Sequence, residues 1–129
     1  MKTLMKISCA MFLILLIGSS AYAQKTSDQK YNQYLINSLN DENIGIRTSA
    51  AQLLGERKVQ EAVDPLIKML KSEKQYSARI VVAVALFNIG DEKALPELKK
   101  AAKYDKDKCV RVVASAIVQK MQTPEVTLK

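Results

Sequence analysis

Residues 78–98 read ARIVVAVALFNIGDEKALPEL. Taken alone, Ile80-Val81-Val82-Ala83-Val84 suits a buried strand, because β-branched side chains favour a pleated surface. Its surroundings decide for helix. Arg79 lies midway in sequence between Arg47 and Arg111. Arg47-Thr48-Ser49-Ala50-Ala51-Gln52-Leu53-Leu54 carries a helical pattern at the same phase. An acid stands six residues before each arginine, at Asp41, Glu73 and Asp105. Small residues follow at Ala50-Ala51, Val82-Ala83 and Ala114-Ser115, then aliphatic pairs at Leu53-Leu54, Ala85-Leu86 and Ile117-Val118. The interval from one arginine to the next falls within the range of about 20–50 residues that marks stacked repeats.

The same logic sets the neighbouring elements. Tyr31, Tyr34, Leu35 and Leu39 place apolar groups on one face of a helix ending near Asn40, and Asn40-Asp41-Glu42-Asn43 supplies turn and capping chemistry. A second helix is expected from Ile44 or Gly45 to Arg57. Glu61 to Leu70 or Lys71 turns Ala62, Val63, Leu66, Ile67 and Leu70 inward, with Pro65 near its first turn, where a missing donor is tolerated. Ser77 to Ile89 is stopped by Gly90. Asp91 caps Ala94 to Lys103, and Cys109 to Gln122 closes a third pair. The repeats therefore fall at about 30–57, 61–90 and 93–122, within a domain spanning 30–122. Thr123-Pro124-Glu125-Val126 resembles the run into another first helix, so residues 123–129 read as a tail, and the third pair is expected to lack both a neighbour and a polar cap.

Residues 1–23 stand apart. Lys2 and Lys6 form a positive n-region, Ile7 to Ile17 an apolar core and Ala21-Tyr22-Ala23 a small-x-small site, the pattern of a secretory signal peptide. The apolar core is well short of the roughly 20 residues that span a bilayer. Cleavage leaves Gln24 to Gln29 as a flexible leader and no integral membrane span. It also removes Cys9, so that Cys109 is the one thiol and no internal disulfide can form. The expected location is periplasmic or secreted. The chain has 20 basic and 13 acidic side chains; without Lys2 and Lys6, 18 against 13 lowers the formal charge from +7 to +5.

The strings Ile46-Arg47 to Leu54-Gly55 and Ala78-Arg79 to Glu97-Leu98 resemble HEAT-like repeats of the phycobilin-lyase type. Those follow the form Val-Arg-x-x-Ala-Ala-x-Ala-Leu-Gly-x-Ile-Gly-Asp, with the next helix beginning Ala-Leu-Pro-x-Leu. The chain departs from the form at Phe87 and Gln119 in place of the first glycine, and at Arg57-Lys58 and Met121-Gln122 in place of Ile-Gly. The resemblance covers roughly Tyr31 to Met121 and implies an all-α fold, a short right-handed α-solenoid of three antiparallel helix pairs. It further implies a structural ladder of Asp41, Glu73 and Asp105 with Arg47, Arg79 and Arg111. Relatives with this fold that hold iron do so with histidine and glutamate motifs, and none is present here.

The chain has no histidine, which removes the commonest general base and leaves no Ser-His or Cys-His nucleophile. No glycine-rich phosphate loop or two-cysteine metal motif appears. The expectation is a non-catalytic protein without cofactor or metal. In the family pattern, positions one, two and five after the arginine face a concave groove. These are Thr48, Ser49 and Gln52 in the first repeat, then Ile80, Val81 and Val84, then Val112, Val113 and Ala116. An apolar groove bordered by Tyr76, Asn88 and Lys120 fits a protein or peptide partner, with Tyr76 as an anchor. A homodimer pairing groove to groove is the self-associating alternative. A second alternative uses Lys68, Lys71, Lys99, Lys100 and Lys103 to hold an anionic polymer or lipid of the cell envelope. Nucleic acid is not an expected partner.

Overall fold

In the computed structural model, which describes residues 24–123, helix follows helix: α1 (24–38), α2 (Ile44–Glu56), α3 (Val63–Ser72), α4 (Tyr76–Ile89), α5 (Leu95–Tyr104) and α6 (Lys108–Gln122). Short 3-10 turns, Gln60–Ala62 and Glu92–Ala94, lead into α3 and α5. The expected signal peptide, and the tail from 124 onward, lie outside the described residues. Residues 24–29, expected as a flexible leader, are helical instead. The stretch holds no glycine or proline, and Gln24, Lys25 and Gln29 are good helix formers. The chain divides into two units, 1–33 and 34–129.

In the second unit the starts of the second helices are evenly spaced because their caps are. Asn43, Gln75 and Asp107 are all in extended backbone immediately before α2, α4 and α6. The Asn43 side chain accepts the Gly45 N–H at 2.8 Å, and the Asp107 carboxylate accepts those of Cys109 and Val110. These bonds satisfy donors that the first helical turn leaves open. At the other end Gly90 closes α4 in the left-handed region, at φ 77°. The corresponding place after α2 holds Lys58, which adopts φ 51° despite its side chain.

α2 packs on α4 and α4 on α6, while α3 lies on α4 and α5 on α6. Leu54, Leu66, Leu86, Leu98, Val82 and Val110 are fully buried. Leu35 and Leu39 of the first pair join that core, and they match Leu66 and Leu70 at a spacing one residue shorter than that of the arginines. The first repeat is one residue shorter in the turn before Asp41, where Leu39 stands two positions ahead of the acid and Leu70 stands three ahead of Glu73. Gly55 marks the tightest approach: a Cβ there would lie 2.7 Å from the Ala85 Cα. The family's first glycine therefore survives where two second helices touch backbone to backbone.

The third pair does carry a polar outer face, contrary to expectation. Ile67, Ala83 and Phe87 are buried or half-buried, whereas their counterparts in the next repeat, Lys99, Ser115 and Gln119, are exposed. Each apolar or small residue of the inner pair is replaced by a polar one where no further described helix covers it, as a terminal repeat requires.

Two substitutions check this backbone account by urea unfolding. Gly55→Ala should lower stability by about 1–3 kcal/mol, since neither backbone can yield cheaply. Lys58→Gly should raise it by up to about 1 kcal/mol by removing the left-handed strain.

Candidate functional site

The arginines do two jobs with one side chain. Nη1 of Arg47 donates to the Asp41 and Glu42 carbonyls at 2.8 and 2.9 Å, and Nη1 of Arg79 to those of Glu73 and Lys74. Each arginine thus pins the turn that precedes its own helix. The remaining edge reaches the next repeat. Arg79 Nε and Nη2 meet the two oxygens of Asp105 at 2.8 and 2.7 Å, a bidentate pair. Arg47 Nε and Nη2 both meet Glu73 Oε2 at 2.9 Å, because Glu73 Oε1 accepts the Gln75 N–H. The acid six residues before an arginine is therefore the partner of the arginine in the preceding repeat, 26 residues earlier.

The two ends of this ladder stay open. Asp41 accepts the Asn43 N–H, and Arg111 donates to the Asp105 carbonyl; neither has an oppositely charged side chain against it among the described residues. Arg79 is the buried member, its side chain 5% exposed, and Asp105 shields the other side at 10%. Burial alone would raise the Glu73 carboxyl, but the Gln75 N–H and the Arg47 guanidinium hold it below its ordinary value. Burial likewise opposes the charged form of Asp105, and Arg79 with the Asp107 N–H overcomes it. The Asp105 carboxylate in turn raises Arg79 despite burial. Among the described residues no buried side-chain polar atom lacks a partner.

The second-helix face divides by position. Gln52, Val84 and Ala116, five after the arginine, are exposed in all three repeats. Two after it, Ser49 is exposed, but Val81 and Val113 are half-buried and pack against the core. One after it, Thr48 and Ile80 are half-buried, and Val112 is 60% exposed because no described helix lies beyond α6. Ile80, Val81 and Val113, expected to face a groove, are thus half-buried rather than exposed, Val81 and Val113 packing against the core. What remains uncovered on α4 and α6 is Tyr76 at the start of α4, Val84 at its middle and Val112 on α6, and on α2 Ile46 is exposed as well. Asn88 and Lys120 are exposed on the same two helices.

Two clefts lie elsewhere, between successive first helices. The first, about 780 Å³, is bordered by α1, α3 and the turn after each. The second, about 410 Å³, is bordered by α3, α5 and their turns. Tyr104, 71% exposed, stands on the second with Lys103 Nζ 5.0 Å from its ring centre. Tyr104, Lys74 and Lys106 were not singled out from the sequence. The signal that finds the lysines is recurrence: Lys68, Lys71 and Lys74 return at the same places in the next repeat as Lys100, Lys103 and Lys106.

Stacked helix pairs tied by an arginine of one repeat to an acid of the next define a helical-repeat scaffold. The sequence pattern of the family described as HEAT repeats matches residues 32–118, and the chain belongs to that family. No curated protein matches it. HEAT repeats are commonly protein-interaction modules, and no helix among the described residues is long and apolar enough to cross a membrane. No group of three or more His, Cys, Asp or Glu that could hold a metal occurs among those residues.

The ladder makes two predictions. Asp105→Ala, which strands Arg79 in the stack, should cost about 3–5 kcal/mol, whereas Asp41→Ala should cost under about 1 kcal/mol in urea titrations. The second concerns pH. Glu73 and Asp105 are lowered from ordinary values of 4.5 and 3.8, so the folded chain binds their protons less readily than the unfolded one. Their contribution is complete above the unfolded values and is lost as pH falls through the folded ones. Melting temperature should drop across that acid window, and the drop should shrink in Glu73→Gln/Asp105→Asn.

Proposed function

We propose that this chain is exported and acts as a non-catalytic binding module for a protein or peptide, through the face formed by α4 and α6. The observation that carries this reading is the exposure of Tyr76, Val84 and Val112 after the core has closed. At the places of Val84 and Val112, α2 carries the polar Gln52 and Thr48, and its own exposed apolar side chain, Ile46, lies at the place of the buried Ala78 and Val110. Three large side chains provide an anchor of modest area, and Asn88 and Lys120 add a polar border. The form of the repeats, with Ala78-Arg79 at one end and Ala94-Leu95-Pro96 at the other, supports placing them with the phycobilin-lyase type of HEAT-like repeat. The absence of histidine supports a role without acid–base chemistry. The Lys2 to Ala23 pattern supports export, with a mature start at Gln24.

A photocrosslinking residue in place of Tyr76, introduced into the full chain in its own cells, tests the face directly. The expected result is one dominant adduct with another protein, lost in Val84→Asp/Val112→Asp while the melting temperature stays nearly unchanged. These positions are exposed, so the pair of changes should cost no more than about 1 kcal/mol. Adducts only between copies of the chain would assign the face to a homodimer instead. An adduct that survives the double substitution would refute the proposed contact. The mass of the recovered protein reports cleavage before Gln24 in the same experiment.

A further inference from the structure

The two clefts between first helices are equivalent in the repeat but differ in charge. On the α1 side of the first stand Asn37, Asn40 and Glu42. The second receives Lys71 and Lys74 from one wall and Lys100 and Lys106 from the other. Its acids are already engaged. Glu73 and Asp105 are held by Arg47 and Arg79, and Glu97 lies 3.5 Å from Lys100. Lys71, Lys74 and Lys106 are exposed, and among the described residues none has a carboxylate in ion-pair contact. The last turns of α3 and α5 carry negative helix ends that favour a lysine or two nearby. That effect accounts for Lys71 and Lys103, but not for Lys74 and Lys106, which lie in the turns beyond.

We propose that the cleft between α3 and α5 seats a linear polyanion carrying closely spaced phosphates, with Lys71 and Lys74 gripping it from one side and Lys100 and Lys106 from the other. Lys71 stands in the last turn of α3 and Lys100 within α5, Lys74 and Lys106 in the turns that follow them, and packed helices lie about 8–10 Å apart. Cations on both walls suit a single charged chain lying in the cleft. A flat lipid surface would reach only the rims. Ammonium groups are point charges without the fork of a guanidinium, so recognition follows charge spacing more than the shape of each group. Tyr104 is the one aromatic side chain bordering the cleft, too few for the successive stacking that single-stranded nucleic acids use. This surface is separate from the α4–α6 face, and either assignment can fail without the other.

The test measures binding of inorganic polyphosphate by fluorescence anisotropy, with protein recovered from expression of the full chain. The expected result is binding that weakens with salt at a log–log slope of about −3, from four contacts of a single-stranded polyanion. Lys71→Ser/Lys74→Ser/Lys100→Ser/Lys106→Ser should lose at least tenfold in affinity and flatten that slope. A control with equal charge removed elsewhere, Lys25→Ser/Lys30→Ser/Lys58→Ser/Lys120→Ser, should lose less than threefold. Equal losses in both variants would overturn the site in favour of general attraction. No binding of polyphosphate, or tighter binding of anionic phospholipid vesicles or of single-stranded homopolymer DNA, would overturn the choice of ligand. Since all four lysines are exposed, melting temperatures of both variants verify that the fold is retained.

Discussion

The contact between an arginine and the carboxylate of the following repeat organises this molecule at two scales. Within a repeat, Nη1 of the arginine fixes the turn between first and second helix by holding its carbonyls. Between repeats, the other edge of the same guanidinium grips Glu73 or Asp105, which are themselves bound to the backbone N–H two residues on. The turn therefore presents its acid in a fixed direction before the neighbouring arginine arrives. Burying a charge is costly unless pairing and hydrogen bonding compensate it, and here every edge of Arg79 finds a partner. The ladder orders the stack, while the aliphatic interior, from Leu54 through Leu86 to Leu98, supplies most of the burial.

A stack ordered along one side leaves its other surfaces available for chemistry. The second-helix face keeps Tyr76, Val84 and Val112 uncovered, and the first-helix side opens into clefts, in the second of which the ladder holds Glu73 and Asp105. The two surfaces call on different physics. One offers apolar area with a polar border, and the other offers charge density with little apolar area. A protein of this size can present both because its core lies between the layers.

Much of this was legible in the sequence, and the misses have specific causes. The recurrence of arginine and acid set the phase of α2, α4 and α6 to within a residue or two, and Gly90 marked its helix end. The one-residue slip between Leu35 and Leu66 was hidden because the acids keep the full period across it. Half-burial of Ile80, Val81 and Val113 depends on how far adjacent helices reach over them, which a period cannot report. Val112 escapes that cover through its place at the end of the stack. The polar replacements Lys99, Ser115 and Gln119 were readable in principle, once each is compared with Ile67, Ala83 and Phe87. The lysine rows were visible as well, but their meaning required knowing that Glu73 and Asp105 are spent on arginine.

The close approach at Gly55 bears on whether the repeats could trade places. Charge alone cannot tell one repeat from the next, since Arg47 would meet Asp105 at the same separation it now keeps from Glu73 if one whole repeat were excised. Steric fit can. The Gly55 surface is shaped for Ala85, whereas the equivalent residue on α6 is the bulkier Ile117. The ladder thus behaves as a universal coupling and the glycine as an address, so that the order of units is written in side-chain volume rather than in charge.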